Sequence, residues 1–220
     1  MDVLNFILNP KNIFWTQTLV YLQICGISIV GAVILGVVIG AAVSRSPILS
    51  FIAINLSGLI RAVPIIATLI VLVPFFGLGL KPTLIALVLL GIPPVLLNTY
   101  TGIRGVDPAM IDAAKGMGMA TWQIVTKIQA PLVTPLVAAG IRTTAVQIVA
   151  TATLAAFIGA GGYGDYIVDG ISVFNYPELI AGSIAVAVFA IIIELFMSWL
   201  QRRLTPAGLK VQESVEVLKA

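Results

Sequence analysis

Residues 17–43 read QTLVYLQICGISIVGAVILGVVIGAAV, an apolar run with no charged side chain anywhere in it. A hydrocarbon core about 30 Å thick needs about 20 such residues in a helix, so this stretch is long enough to cross a bilayer. Working outward, residues 48–76, 83–100, 131–158 and 179–200 meet the same condition. Composition agrees: 60% of the chain is apolar and 10% charged, against roughly 45–50% and 25% in soluble domains. The expected fold class is an all-α integral membrane protein of the cell membrane, one domain over residues 1–220 with five transmembrane helices.

Five crossings leave the termini on opposite sides, and loop charges choose the direction. Arg45, Arg104, Lys115, Lys127, Arg202, Arg203, Lys210 and Lys219 collect on one side, with only Lys11 and Lys81 on the other. The N-terminus is therefore expected outside and the C-terminus in the cytoplasm. Residues 1–11 lack a basic region followed by an apolar core and a small-residue cleavage site, so the first span is expected to be retained. The polar tail, 205–220, is expected to be partly disordered. Twelve basic against nine acidic residues is too small an excess to suggest nucleic-acid binding. A lone cysteine, Cys25, and the absence of histidine exclude an internal disulfide and remove the commonest zinc and haem ligands.

Helix breakers crowd into the spans. Pro64 and Pro74 interrupt the second, Gly91-Ile92-Pro93-Pro94 the third, and Pro131 and Pro135 the start of the fourth. Each proline frees a backbone carbonyl, which at membrane depth must be satisfied by protein or by a watery cavity. Two readings stand: ordinary kinks, or broken helices that border a substrate path. In the first span Gly36 and Gly40 form a GxxxG pair, a surface on which two helices can approach closely.

The spans contain no His and no Asp, and Glu194 is their one carboxylate, so acid–base and nucleophilic constellations are missing and an enzyme is not expected. Residues 159–164, GAGGYG, match G-x-G-x-x-G, but they follow an apolar helix rather than a strand. A flexible or tightly turned external loop is the better reading. No G-x-x-x-x-G-K-[ST] occurs, so ATP and its Mg must be bound by partner subunits, and no cofactor or metal is expected in this chain.

Three charges lie within the spans: Arg61, Arg142 and Glu194. Arg142 and Glu194 are each roughly two to three turns from the cytoplasmic ends of their helices and are expected to pair, the alternative being snorkelling to the interface. Arg61 lies fourteen residues past Pro47, about 21 Å along a helix and hence near mid-membrane, with Ser57, Pro64 and Thr68 on its face. Thr144, Gln147 and Thr151 share a face of the fourth span by the same spacing. The two half-polar faces suggest a lined translocation path or gate; interhelical hydrogen bonding is the other reading.

The longest polar loop holds Asp112-Ala113-Ala114-Lys115-Gly116-Met117-Gly118, followed by Ile128 and Pro131. Residues 105–131 resemble the E-A-A-x-x-x-G-x9-I-x-L-P signature of ABC importer permeases, with Asp112 in place of the Glu and Ala130 in place of the Leu. The likeness extends over nearly the whole chain, including Arg61-Ala62-Val63-Pro64 and the glycine-rich 159–164. It implies the five-helix permease fold of the methionine-importer type. The segment 105–130, between the third and fourth spans, would form a coupling helix docking in a groove of an ATP-binding subunit. Asp112, Ala113, Ala114, Gly116, Gly118, Ile128 and Pro131 would make that contact, with Asp112 capping the helix or pairing with a basic residue of the groove.

Implied partners are two ATP-binding subunits, a second permease subunit, an extracytoplasmic substrate-binding protein and the bilayer. Within the family, Asn98-Thr99-Tyr100, Val106-Asp107-Pro108 and Gly116-Met117-Gly118-Met119 look most like permeases for osmoprotectants such as glycine betaine, choline and carnitine. A permease for methionine or another amino acid is the alternative. The positive charge of Arg61 would repel choline and attract a betaine carboxylate. Tyr163, Tyr166, Phe174 and Tyr176 fit an interfacial aromatic belt or a docking surface better than a quaternary-ammonium cage. An ATP-independent channel or a secondary transporter is the remaining reading, and the latter normally carries two inverted halves where no internal repeat is visible here.

Overall fold

The computed structural model describes residues 14–205, so Lys11, Lys210, Lys219 and, apart from Thr205, the tail expected to be disordered lie outside the described residues. Every described element is a helix: α1 (Phe14–Val43), α2 (Pro47–Ala62), α3 (Ile65–Phe76), α4 (Leu80–Arg104), α5 (Pro108–Gly116), α6 (Thr121–Ile124), α7 (Ala130–Thr151), α8 (Tyr163–Ser172) and α9 (Tyr176–Leu204). A π-helical turn, Val125–Gln129, joins α6 to α7, and a 3-10 segment, Ala152–Ile158, extends α7. Four helical runs are each long and apolar enough to cross a membrane.

Small residues bring α1, α4 and α7 into close contact. A Cβ added at Gly36 would lie 2.6 Å from Val95 Cβ, and one at Gly40 only 2.8 Å from the Leu96 carbonyl oxygen. The GxxxG surface of the first span is therefore the α1–α4 seam. Beside this seam, a Cβ at Gly140 of α7 would meet the Pro94 carbonyl oxygen and Asn98 Cβ at 2.9 Å. Around these seams Tyr21, Ile24, Leu87, Ile148 and Val149 are buried.

Contact order along the seams fixes the directions. Gly31, Gly36 and Gly40 of α1 face Val88, Val95 and Thr99 of α4, so these helices run parallel, whereas Gly140 opposite Asn98 and Gly102 opposite Val133 make α7 antiparallel to α4. Residues 44–79 must then carry the chain from one end of the bundle back to the other. They do so as a bent pair: the span expected over 48–76 is divided into α2 and α3, whose axes meet at 94°. Pro64 supplies the reason. It has no N–H for the Ile60 carbonyl, and it drives the preceding Val63 into extended backbone, φ −76° and ψ 124°.

Pro93 and Pro94 behave differently, because α4 runs through both without a break. The carbonyls that these prolines free are those of Leu89 and Leu90; beside them, Thr144 Oγ1 of α7 donates to the Gly91 carbonyl at 2.8 Å, and Asn98 Nδ2 of α4 itself donates to the Pro94 carbonyl at 2.8 Å. Pro135 likewise sits inside α7. The widened π turn ends at Gln129, just before Pro131, which has no N–H for the Lys127 carbonyl within that turn.

The segment 159–178 is tightly turned where its glycines fall, and then forms a helix the sequence reading did not anticipate. Gly159, Gly161 and Gly162 take φ of 70°, 83° and 89°, after which α8 begins. Gln17 of α1 fastens this turn, its Oε1 accepting from Gly162 N–H at 2.6 Å and its Nε2 donating to Asp165 Oδ2 at 3.0 Å. Burial pushes the Asp165 carboxyl above its usual range, against the lowering effect of that hydrogen bond. Tyr163 donates to Thr18 at 2.9 Å. The polar Gln17-Thr18 pair at the head of the first apolar run was the available signal for this contact.

Helix α8 closes on Phe174 at φ 55°, a left-handed position, with Asn175 N–H returning to the Gly170 carbonyl at 2.9 Å. A bulky residue there is disfavoured by about 1–2 kcal/mol relative to glycine, and Phe174 is 78% exposed, so packing within the chain offsets little of it. Replacing Phe174 with glycine is expected to raise the thermal unfolding midpoint of the detergent-purified protein by a few degrees; an unchanged or lower midpoint would show that the ring is held by contacts outside this chain.

Candidate functional site

Helix α9 runs antiparallel to α7, since Arg202 shares a cleft with Pro135 and Leu136 while Glu194 shares one with Gln147 and Ala150, so Arg45, Arg104, Lys127, Arg202 and Arg203 gather at one end of the bundle, together with α5 and α6. Lys81 lies at the other end with Asp165 and Glu178. The α5–α6 elbow therefore projects from the basic end.

Helix α5 begins at Asp107, whose side chain accepts from Ala109 N–H at 2.8 Å, with Pro108 in the first turn. Asp107, and not Asp112, is the cap. Asp112 instead sits inside the helix in an exposed pair with Lys115 at 3.1 Å, a pair worth about 0.5 kcal/mol or less and easily exchanged for another. At the far end Gly118 N–H donates to the Lys115 carbonyl at 2.9 Å and Met119 N–H to the Ala114 carbonyl at 3.1 Å. These paired reverse bonds need a left-handed residue between helix and exit, and Gly118 supplies it at φ 79°.

The motif residues divide by direction. Ala114 is fully buried, whereas Asp112, Ala113, Gly116 and Gly118 are exposed, as is Pro131; Ile128 is half-buried on the π turn. Gly116 has ordinary helical backbone, and a Cβ added at either Gly116 or Gly118 would meet nothing within 4 Å. No neighbour among the described residues requires a small side chain at Gly116, and glycine inside a helix costs about 1 kcal/mol relative to alanine. Met110, Met117, Trp122 and Val125 of the same elbow are exposed as well.

The residues expected on the two half-polar faces end up apart. The 94° bend at Pro64 takes Thr68 off the helix that carries Arg61, so the face drawn through Ser57, Arg61, Pro64 and Thr68 does not exist as one surface. Ser57 is buried. Arg61 is exposed at the C-terminal turn of α2, where its charge complements the helix dipole, and it makes no hydrogen bond or ion pair with any described residue. Thr68 borders a cleft of about 200 Å³ with Ile60, Val63 and Ile65, bridging the bend. On α7, Thr144 is fully buried and used in the bond to Gly91, and Thr151 donates to the Gln147 carbonyl at 2.7 Å. Gln147 alone of the three borders an open cleft.

That cleft lies between α7 and α9 and is built around Arg142. The guanidinium pairs with Glu194, as expected, and also reaches Gln201 Oε1 at 3.4 Å. An unpaired charge at a helix centre costs at least about 2.5–3.5 kcal/mol, so the pairing removes most of the reason for either group to leave this depth. Gln201, one more turn pair along α9 from Glu194, was not singled out in the sequence.

Comparison with known proteins places this geometry among others. Residues 32–207 match the family model described as binding-protein-dependent transport system inner membrane component. The carnitine transport permease protein OpuCB of Listeria monocytogenes is 38% identical over 183 residues, covering 81% of this chain and 84% of that protein. The glycine betaine/carnitine/choline transport system permease protein OpuCB of Bacillus subtilis is 35% identical over 195 residues, covering 89% and 90%. Among solved structures, an inward-facing conformation of the MetNI methionine ABC transporter aligns with a TM-score of 0.77 at 17% identity, over 88% of this chain and 97% of that one. At that identity the likeness concerns the fold.

Proposed function

Given that this chain belongs to the binding-protein-dependent transport system inner membrane components, we propose that it is the permease subunit of an ATP-driven importer for quaternary-amine osmoprotectants: glycine betaine, choline or carnitine. The observation that carries the cargo class is the sequence identity, 38% and 35% over more than four-fifths of the chain, to permeases named for those compounds. Counting the bent α2–α3 pair as one crossing gives five spans, N-terminus outside and C-terminus in the cytoplasm. The charge segregation supports that orientation.

In this reading α5 is the coupling helix. Its exposed motif residues Asp112, Ala113, Gly116 and Gly118 enter a groove of an ATP-binding subunit, with Ala114 holding the helix to its own chain and Ile128 and Pro131 passing the displacement through the π turn into α7. Two such subunits bind ATP and Mg. A second permease subunit completes the path, and an extracytoplasmic binding protein delivers cargo to the end bearing α8. The α2–α3 bend, with Arg61, Pro64 and Thr68, serves as the gate; Gln147 faces the path, and Thr144 and Thr151 hold the helix that carries it.

The test is uptake into proteoliposomes containing the permease, its ATP-binding subunits and its binding protein. Labelled glycine betaine, choline or carnitine is expected to accumulate only with ATP at the basic face, at least tenfold over methionine. Preferential methionine uptake would assign the chain to amino-acid import, and cargo flux through the permease alone would make it a channel or secondary carrier.

A further inference from the structure

We propose that the Arg142–Glu194 pair is a transit site for zwitterionic cargo, in which the cargo's carboxylate takes the place of Glu194 on the guanidinium and its ammonium lies against the freed Glu194 carboxylate. The inference rests on the osmoprotectant reading above and names where in the membrane such a cargo is held.

Depth comes from α9 itself. Exposed Tyr176 and Trp199 lie near the two ends of this helix, about 35 Å apart along its axis, which suits the two aromatic belts of a bilayer. Glu194 is then about 8 Å inside the inner belt, within hydrocarbon. Yet Arg142 and Glu194 each keep 38% of their side chains exposed, on the wall of a cleft of about 550 Å³ that Thr143, Gln147 and Gln201 also border. Charged groups at such depth face protein or water-filled space rather than acyl chains. The volume falls within the 300–1,000 Å³ of small-molecule sites.

The pair is itself a dipole of zero net charge, and its complement is a molecule that is also a dipole of zero net charge. A trimethylammonium carboxylate can exchange with it so that neither Arg142 nor Glu194 is left unpartnered; Gln201, already within 3.4 Å of Arg142, offers its amide to the displaced geometry. A monocation such as choline gains only Glu194 and strands the guanidinium beside it. Aromatic rings do not border this cleft, so the ammonium is not caged and the site releases as readily as it fills, as a conducting path requires.

The experiment uses the complete transporter in vesicles with Thr143 replaced by cysteine, since Thr143 is exposed on the cleft wall and Cys25 is buried. The rate of modification by a membrane-impermeant thiol reagent, added at the basic face, is measured with cargo present well above about 1 mM, where a weak site fills. Glycine betaine is expected to slow labelling at least fivefold, choline by less than twofold and sucrose not at all, and the protection is expected to vanish in the Arg142→Gln/Glu194→Gln double variant, which leaves no unpaired charge. Equal protection by choline or sucrose, no protection, protection that survives the double variant, or a cysteine the reagent never reaches would each overturn the assignment. ATP-driven uptake of glycine betaine by the wild-type vesicles is measured in parallel; its absence would count against osmoprotectant import and is read separately from the labelling result.

Discussion

Replacing Gly118 with arginine is expected to leave a permease that inserts and can be purified, but whose ATP-driven uptake falls at least tenfold while ATP hydrolysis by the partner subunits continues. The position has two properties that separate fold from function. Its backbone is left-handed, which adds about 1–2 kcal/mol of local strain for a residue with a Cβ, and the space beyond it is empty, so the new side chain meets nothing in its own chain. Insertion should tolerate the first. A docking partner should not tolerate the second, because loss of only about 1.4 kcal/mol of contact is already tenfold in occupancy.

Gly116→Arg isolates the effect. Its backbone is helical and its surroundings equally open, so it carries no left-handed strain, and the same uncoupling is expected. Gly118→Asn keeps a residue that tolerates the left-handed cap with a short side chain, and is expected to retain most of the uptake. If both arginine variants transport like wild type, measured as labelled cargo per ATP hydrolysed, α5 is not the site through which the ATP-binding subunits act.

The second large effect is on the fold. Gly40→Leu is expected to abolish recovery of monodisperse protein in detergent, because even a Cβ at Gly40 would lie 2.8 Å from the Leu96 carbonyl oxygen and 2.8 Å from Thr99 Cβ. A backbone oxygen cannot rotate away, so α1 and α4 would have to separate along their whole seam. Overpacking commonly costs about 1–3 kcal/mol, and an obstacle made of backbone belongs at or above the top of that range. Gly26→Leu, on the same helix with nothing within 4 Å, should behave as wild type. Equal yields for the two variants by size-exclusion chromatography would mean that the α1–α4 seam does not hold the bundle together.

Some of the site was legible in the residues. The likeness of 105–131 to a known signature implied a helix there, and the matched depths of Arg142 and Glu194 announced their pairing, because depth rests on spacing along one chain. The cap at Asp107 was readable from Asp-Pro ahead of a short helix, yet Asp112 drew the assignment because the motif draws attention to it. The polar face through Arg61 and Thr68 was lost because it assumed one straight helix across Pro64. Thr144 was placed on a path because side-chain type does not say which neighbour lies opposite.

What the sequence determined alone is the solvent and the helical class. Long apolar runs are driven out of water, and each run satisfies its own backbone as a helix. Only the tertiary structure decided how each proline behaves. Pro64 turns the chain by 94° while Pro93 and Pro94 leave α4 continuous, supported by a threonine hydroxyl of α7 at Gly91 and by an asparagine amide of α4 itself at Pro94. The difference that accompanies this is packing: Pro93 and Pro94 are buried between helices, whereas Pro64 is exposed where α2 and α3 part, and only the tertiary structure sets which of the two surroundings a proline meets.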